Sequence, residues 1–299
     1  MFKGLSAFPL TPMDEVSGIH EASFIRLIER LAAARVDSIG ALGSTGSYAY
    51  LTREERKRVT QLAVEHAADI PVIVSIGALR TRDVLHLAED AQQAGASAVL
   101  LAPLSYQPLT EAEVFTLYET VTRTLSIPLC VYDNPATTHF RFSDELLGRI
   151  AQLPNVQSVK IPPLPPSQAE AKSRVDLLRV LLPEHVTLGI SGDAAAALGL
   201  ASGCQAWYSA LAGLFPEVCL DITRAAQNGN HNEALRLSQA LAPLWSLFTQ
   251  HGSLRVVAAA AEWKGLIPGS ALPLPIQPLS GAAAKQLYAY LDEAQFAKQ

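Results

Sequence analysis

Among the lysines of this chain, Lys160 is the one inside an apolar, strand-like run, Ser158-Val159-Lys160-Ile161. Lys3, Lys57, Lys172, Lys264, Lys285 and Lys298 occupy helical or terminal contexts. Burying an ammonium is costly, so a lysine facing an interior has a lowered pKa and is partly neutral. The neutral amine is the form that attacks a carbonyl carbon. Two readings stay open at this point: a nucleophilic amine, or a strand-end lysine that reaches water or pairs with a carboxylate.

Tyr132 closes the preceding apolar run, in Cys130-Val131-Tyr132-Asp133-Asn134-Pro135. A phenol there is suited to moving protons to and from a carbinolamine, or is an ordinary rim residue. Gly43-Ser44-Thr45-Gly46 follows an earlier run. Its glycines let the backbone approach a ligand, successive N–H groups can hold a carboxylate, and two hydroxyls add donors. The bland alternative is a tight turn leading to the next helix. No Gly-Lys-Ser/Thr follows, which excludes a Walker loop, and Leu42 excludes a Gly-x-Ser-x-Gly elbow.

Short apolar runs rich in β-branched residues set the positions of these groups. They are Leu5–Leu10, Ser38–Leu42, Val72–Ile76, Ala98–Ala102, Leu129–Tyr132, Val156–Ile161, Val186–Ser191 and Ala206–Ala210. Lacking clean alternation, they read as strands buried on both faces of a parallel sheet. Helical patterns intervene at His20–Ala34, Asp83–Ala94 (after Thr81 as cap), Glu111–Thr124 and Asp144–Leu153. Thr52 with Glu55 forms a capping box for another helix.

Eight strands alternating with helices predict an α/β fold, a (β/α)8 TIM barrel, rather than a doubly wound sheet. The remaining segment reads as helices at Pro216–Asn228, His231–Gln250, Leu254–Leu266 and Ala282–Ala297. The expected division is therefore a barrel with the catalytic site over 1–215 and a packed C-terminal helical extension over 216–299. In such a barrel, function belongs to the loops at the C-terminal ends of the strands.

The chain has 299 residues and 49% hydrophobic content, enough for one large core. A net charge of −5, with no run of Lys and Arg, predicts no nucleic-acid partner. Cys130, Cys204 and Cys219 have no metal-like spacing and are too few for a disulfide framework, and the N-terminus lacks a long apolar stretch. A cytoplasmic location is expected. No charged residue occurs from Ala194 to Pro216, but Gly199, Gly203, Gly213 and Gln205 interrupt the run. It reads as a buried helix and strand rather than a membrane span. The histidines are scattered singly, so no metal is expected.

In combination, these motifs resemble the dihydrodipicolinate synthase / N-acetylneuraminate lyase family. Gly43-Ser44-Thr45-Gly46 is similar to its Gly-Thr-Thr-Gly loop, and Tyr132-Asp133-Asn134-Pro135 to its Tyr-Asn-x-Pro strand end. Val159-Lys160 is similar to its Schiff-base strand, and Ser191-Gly192-Asp193 to its Gly-Asp turn. The spacing agrees along the whole chain. The resemblance implies that Lys160 forms a covalent imine with pyruvate or a related 2-oxo acid, with no separate cofactor. It further implies Tyr132 as proton donor and acceptor, with Ser44 in the place of a relay threonine. Thr45, Gly46, Gly192 and, through its backbone, Tyr208 are the implied substrate contacts. It also implies an aldehyde as second substrate and a homodimer or homotetramer.

The chain departs from the family at several positions. Thr137 stands where synthases have an arginine for the second substrate's carboxylate. Ser105, in Pro103-Leu104-Ser105-Tyr106, stands where a relay tyrosine is expected. Ala194 replaces a carboxylate of sialate lyases, and Trp207 stands where those lyases have a small residue. The second substrate is thus expected to differ from that of either enzyme. Ser105, Tyr106, Thr137, His139 and Arg141 are candidates for contacting it. The competing expectation is a catalytically weak barrel that binds a small carboxylate as a sensor or regulator.

Overall fold

Eight of the apolar runs become strands, all parallel and closed into one barrel in the computed structural model, which describes residues 1–16, 18–269 and 271–294. The strands are β1 (Gly4–Ala7), β2 (Ser38–Ala41), β3 (Val72–Ser75), β4 (Ala98–Leu101), β5 (Leu129–Tyr132), β6 (Val156–Ile161), β7 (Thr187–Ser191) and β8 (Ala206–Ser209). Each pairs with its sequence neighbour, and β1 closes the ring by pairing with both β8 and β2. The expected (β/α)8 barrel is therefore the observed fold. Met13–Asp14 pairs with Gly18–Ile19 as a small antiparallel ribbon outside the barrel.

Side-chain alternation along each strand divides the core in two. Ala98, Leu100, Cys130, Tyr132, Ala206 and Tyr208 belong to an inner cluster with Phe2 and Phe8. Their neighbours Val99, Leu101, Leu129, Val131 and Trp207 join the larger outer cluster with the helices. Both faces of the strands are buried, which is why the sequence runs show no polar face.

The outer layer comprises α1 (Glu21–Ala34), α2 (Arg53–His66), α3 (Thr81–Gln93), α4 (Glu111–Thr122), α5 (Asp144–Ala151), α6 (Gln168–Leu181), α7 (Ala196–Ala201) and α8 (Pro216–Gln227). The Thr52–Glu55 capping box is present at α2: Glu55 N–H donates to Thr52 Oγ1 at 3.2 Å, and Thr52 N–H donates to Glu55 Oε2 at 2.8 Å. At α3 the expected cap is displaced. Thr81 is the first helical residue, and Arg80 occupies the cap without a side-chain bond.

Helix α8 packs against β1 and α1, so the eighth layer helix lies beyond residue 215. It is followed by α9 (His231–Ala240), α10 (Ala242–His251), α11 (Ser253–Trp263) and α12 (Gly281–Glu293). The single helix expected over 231–250 is thus two. Pro243, in the first turn of α10, has no N–H to continue the α9 ladder, so the chain turns at Leu241. Of the helix expected over 282–297, residues 295–297 lie outside the described ones. Among the described residues no helix is long and apolar enough to cross a membrane.

Candidate active site

Strands β5 and β6 place their functional side chains in register: Tyr132 sits opposite Lys160 across the ladder. Both point into the mouth formed by the strand ends, where a cavity of about 520 Å3 opens. The Lys160 Nζ lies 3.9 Å from the Tyr132 ring centroid, 4.2 Å from that of Phe8 and 5.4 Å from that of Tyr208. Three aromatic faces thus enclose the amine.

Glycines make room for that enclosure. A Cβ on Gly40 or Gly43 would come within 2.3 or 2.4 Å of the Phe8 ring, and one on Gly189 within 2.3 Å of the Tyr208 ring. The sequence reading missed Phe8, although Gly40 on the neighbouring strand and Gly43 just beyond its end are the trace it leaves.

Burial pulls the Lys160 ammonium down to about 8, with Cys130 and Asp193 acting in the opposite direction. A useful fraction of free amine therefore exists near neutral pH. Asp193 is itself fixed: the Trp207 indole N–H donates to one carboxylate oxygen at 3.0 Å and the Leu211 N–H to the other at 3.2 Å. Burial pushes the Asp193 carboxyl up against those bonds.

Burial also pushes the Tyr132 phenol up to about 12, opposed by a hydrogen bond with Ser44. The phenol is accordingly a proton donor at neutral pH. Asn134, two residues on, donates from Nδ2 to the Tyr132 oxygen at 2.9 Å. Ser44 and Thr45 both line the cavity, with Thr45 buried. The loop reaches this position through Leu42, held at φ 58°, a strained conformation for a non-glycine residue.

The remaining expected residues separate into groups. Gly192 lines the cavity at φ 83°, where a Cβ would come within 2.6 Å of the Pro163 ring. Gly46 lies behind the loop, packed on Leu42 and Thr11, and does not line the cavity. Tyr208 lines it with its ring, while its hydroxyl points down the barrel to Ser158 Oγ at 2.7 Å. Thr137 lines the mouth. Ser105, Tyr106 and His139 do not: they surround a separate cavity of about 90 Å3, and Tyr106 is 89% exposed. Trp207 faces away from the barrel interior because it alternates with Tyr208, so Tyr208 and Ala210 line the mouth there.

Further lining residues were given no role in the sequence reading. Asn134 is one; Phe248, Thr249 and Ser253 come from α10 and α11, beyond residue 215. Helix α10 packs against the turn at Asp193–Ala195 and so forms one wall of the cavity. Among the described residues, no three His, Cys, Asp or Glu side chains gather as a metal ion would require.

Residues 1–294 match the Dihydrodipicolinate synthetase family. A 4-hydroxy-tetrahydrodipicolinate synthase of Parvibaculum lavamentivorans is 30% identical over 290 residues, covering 96% of each chain. The crystal structure of a dihydrodipicolinate synthase from Agrobacterium tumefaciens superposes with a TM-score of 0.94 at 45% identity, over 97% of each chain. The Acinetobacter baumannii dihydrodipicolinate synthase, solved in complex with pyruvate, superposes with a TM-score of 0.89 at 25% identity over 99% of each chain.

Proposed function

The chain belongs to the dihydrodipicolinate synthase family of pyruvate-dependent lysine Schiff-base lyases, and from that premise we propose that Lys160 is its imine-forming amine. The observation that carries this assignment is the enclosure of the Lys160 amine by three aromatic rings, directly beside Tyr132 and the Ser44-Thr45 loop. The sensor reading has no support in the relatives.

The free amine attacks C2 of pyruvate while the Thr45 hydroxyl and the loop N–H groups hold the carboxylate. Tyr132 delivers a proton to the departing hydroxyl of the carbinolamine, so that water leaves and a protonated imine forms. Ser44 passes protons to and from Tyr132, and Asn134 stabilises the transient phenolate through its Nδ2–H. The cationic imine acidifies C3, and loss of that proton produces an enamine. The enamine then attacks an aldehyde carbon, or forms from the reverse cleavage.

The second substrate is proposed to be uncharged and hydroxylated at the end away from the carbonyl. Thr137, Thr249, Ser253 and Phe248 line that side of the cavity, and Lys160 is the only cation among the lining residues. A second carboxylate would find no guanidinium there. A cytoplasmic homodimer or homotetramer belongs to the same proposal, as does the division into a barrel over 1–215 and an extension over 216–299 whose first helix, α8, completes the barrel's outer layer. In that division the extension supplies part of the substrate wall.

Borohydride reduction with pyruvate tests the assignment: a mass adduct on Lys160 is expected, and an unlabelled Lys160 across a panel of 2-oxo acids overturns it. Thr137→Arg is expected to raise kcat/KM for a carboxylate-bearing aldehyde relative to glyceraldehyde by about tenfold or more. An unchanged ratio rejects the uncharged-substrate reading.

A further inference from the structure

A second cavity, of about 460 Å3, lies on the other side of Pro163 from the catalytic one, and Pro163 lines both. Part of its wall is apolar, formed by Phe142, Leu147, Ile161 and Leu164. Three charged side chains share the lining: Asp133, Arg141 and Arg174. Arg174 is committed, since its guanidinium grips both oxygens of Asp144 at 2.6 Å each.

Asp133 has no such arrangement. It is 7% exposed, and its Oδ1 is buried without a hydrogen-bond partner. A carboxylate removed from water needs compensating donors, and the hydrocarbon part of this lining supplies none. Burial pushes this carboxyl up to about 6, while the charges of Arg141 and Arg174 pull it back. The exposed Arg141 places a guanidinium at the edge of the same cavity. The lining therefore presents a buried carboxylate with one oxygen lacking a partner, a cation and a hydrocarbon wall, in a space large enough for a small organic molecule.

We infer that this cavity binds an α-amino acid with an apolar side chain. The ammonium donates to Asp133, the carboxylate accepts from Arg141, and the side chain packs on Phe142 and Leu164. A zwitterion matches both charges without adding net charge to the cavity. A simple carboxylic acid would leave Asp133 unpaired, and a simple amine would forgo the bond to Arg141.

Occupancy would be felt next door. The Asp133 N–H donates to the Lys160 carbonyl at 3.0 Å, and Asp133 lies between Tyr132 and Asn134 in sequence. The binding itself does not depend on Lys160 chemistry, so its test reads heat rather than turnover.

Calorimetric titration with L-leucine, L-methionine and L-phenylalanine is expected to show one saturable site on the intact protein. 4-Methylpentanoate and isoamylamine, each carrying one of leucine's two charges, should bind at least about tenfold more weakly. Asp133→Asn should weaken leucine binding by at least the same factor. Arg141→Met, a change at an exposed position, should do likewise without disturbing the fold. Saturating pyruvate should leave the leucine isotherm in place. The inference is overturned by the absence of saturable heat from all three amino acids, or by unchanged affinity in either variant. Displacement by pyruvate overturns it too, because it locates the leucine in the catalytic cavity. A high-resolution structure with the Arg141 guanidinium folded onto Asp133 overturns it as well.

Discussion

Lys160 and Arg56 are cations buried to the same degree, each 5% exposed, at the C-terminal end of the same barrel. Their surroundings differ. Arg56 reaches from α2 to the end of β3, where its guanidinium donates to the Ser75 and Gly77 carbonyls at 2.8 Å each. Burial pulls it down to about 10, so it stays charged at every physiological pH. Lys160 has aromatic faces around Nζ where Arg56 has fixed carbonyl oxygens, and burial brings it to about 8. Burial alone therefore does not make a reactive amine. Burial lowers both cations by a similar amount, but the lysine starts from 10.5 and the arginine from 12.5, so the base form of the lysine is the one that persists near neutral pH, on a nitrogen that faces rings rather than fixed carbonyls.

That contrast breaks most visibly if the two cations are removed in turn. Lys160→Met should cut imine trapping with pyruvate to less than about a thousandth of the wild-type rate. The melting temperature should hold or rise, since an apolar side chain of similar length replaces an incompletely compensated charge. Retained trapping would move the nucleophile elsewhere. Arg56→Met should do the reverse. Loss of the guanidinium that donates to the Ser75 and Gly77 carbonyls should cost about 3 kcal/mol, read as a lower urea midpoint, with trapping within about threefold of wild type. A stable Arg56→Met protein without trapping would erase the distinction.

The pH dependence sharpens it. The folded protein holds the Lys160 ammonium at about 8, against 10.5 in an unperturbed lysine. The trapping rate should fall about tenfold per unit below pH 8 and level off above it. Between 8 and 10.5 the unfolded chain binds the extra proton, so this group makes stability rise with pH across that window. Subtracting the Lys160→Met stability curve from that of the wild type isolates the slope from the buried cysteines and tyrosines, which titrate the other way; a flat difference contradicts the assigned shift. The smallest expected effect is that of Tyr208→Phe. It keeps the ring beside Nζ but loses the bond to Ser158, costing about 1 kcal/mol. Trapping should change less than about twofold, and a larger loss would give the phenol a role beyond packing.

The fold was largely legible because strands buried on both faces leave unbroken apolar runs, and capping chemistry such as Thr52–Glu55 is local. The observed strands differ from the expected ones mainly at their ends. Where local signals misled, a backbone reason is visible: Pro243 divides an apparently continuous helix, and α3 starts before Thr81 can cap it. Arg56 sits in the charged run Arg53-Glu54-Glu55-Arg56-Lys57-Arg58, which reads as a solvated helix face. Nothing in that run reveals that one side chain turns inward to two strand-end carbonyls.

The sequence by itself determined the chemistry available. It held one lysine in an apolar strand, a tyrosine ending the preceding strand, and a glycine-flanked pair of hydroxyls, each readable from residues within a few positions. The tertiary structure alone decided which distant groups meet them. Barrel closure brings Phe8 from the chain start to Lys160, and the folding back of α10 brings Thr249 into the mouth. The same packing separates Ser105, Tyr106 and His139 from that mouth and leaves Asp133 facing a cavity of its own. These outcomes depend on closing the sheet and seating the extension, and contacts between residues far apart in the chain leave little trace in local sequence pattern.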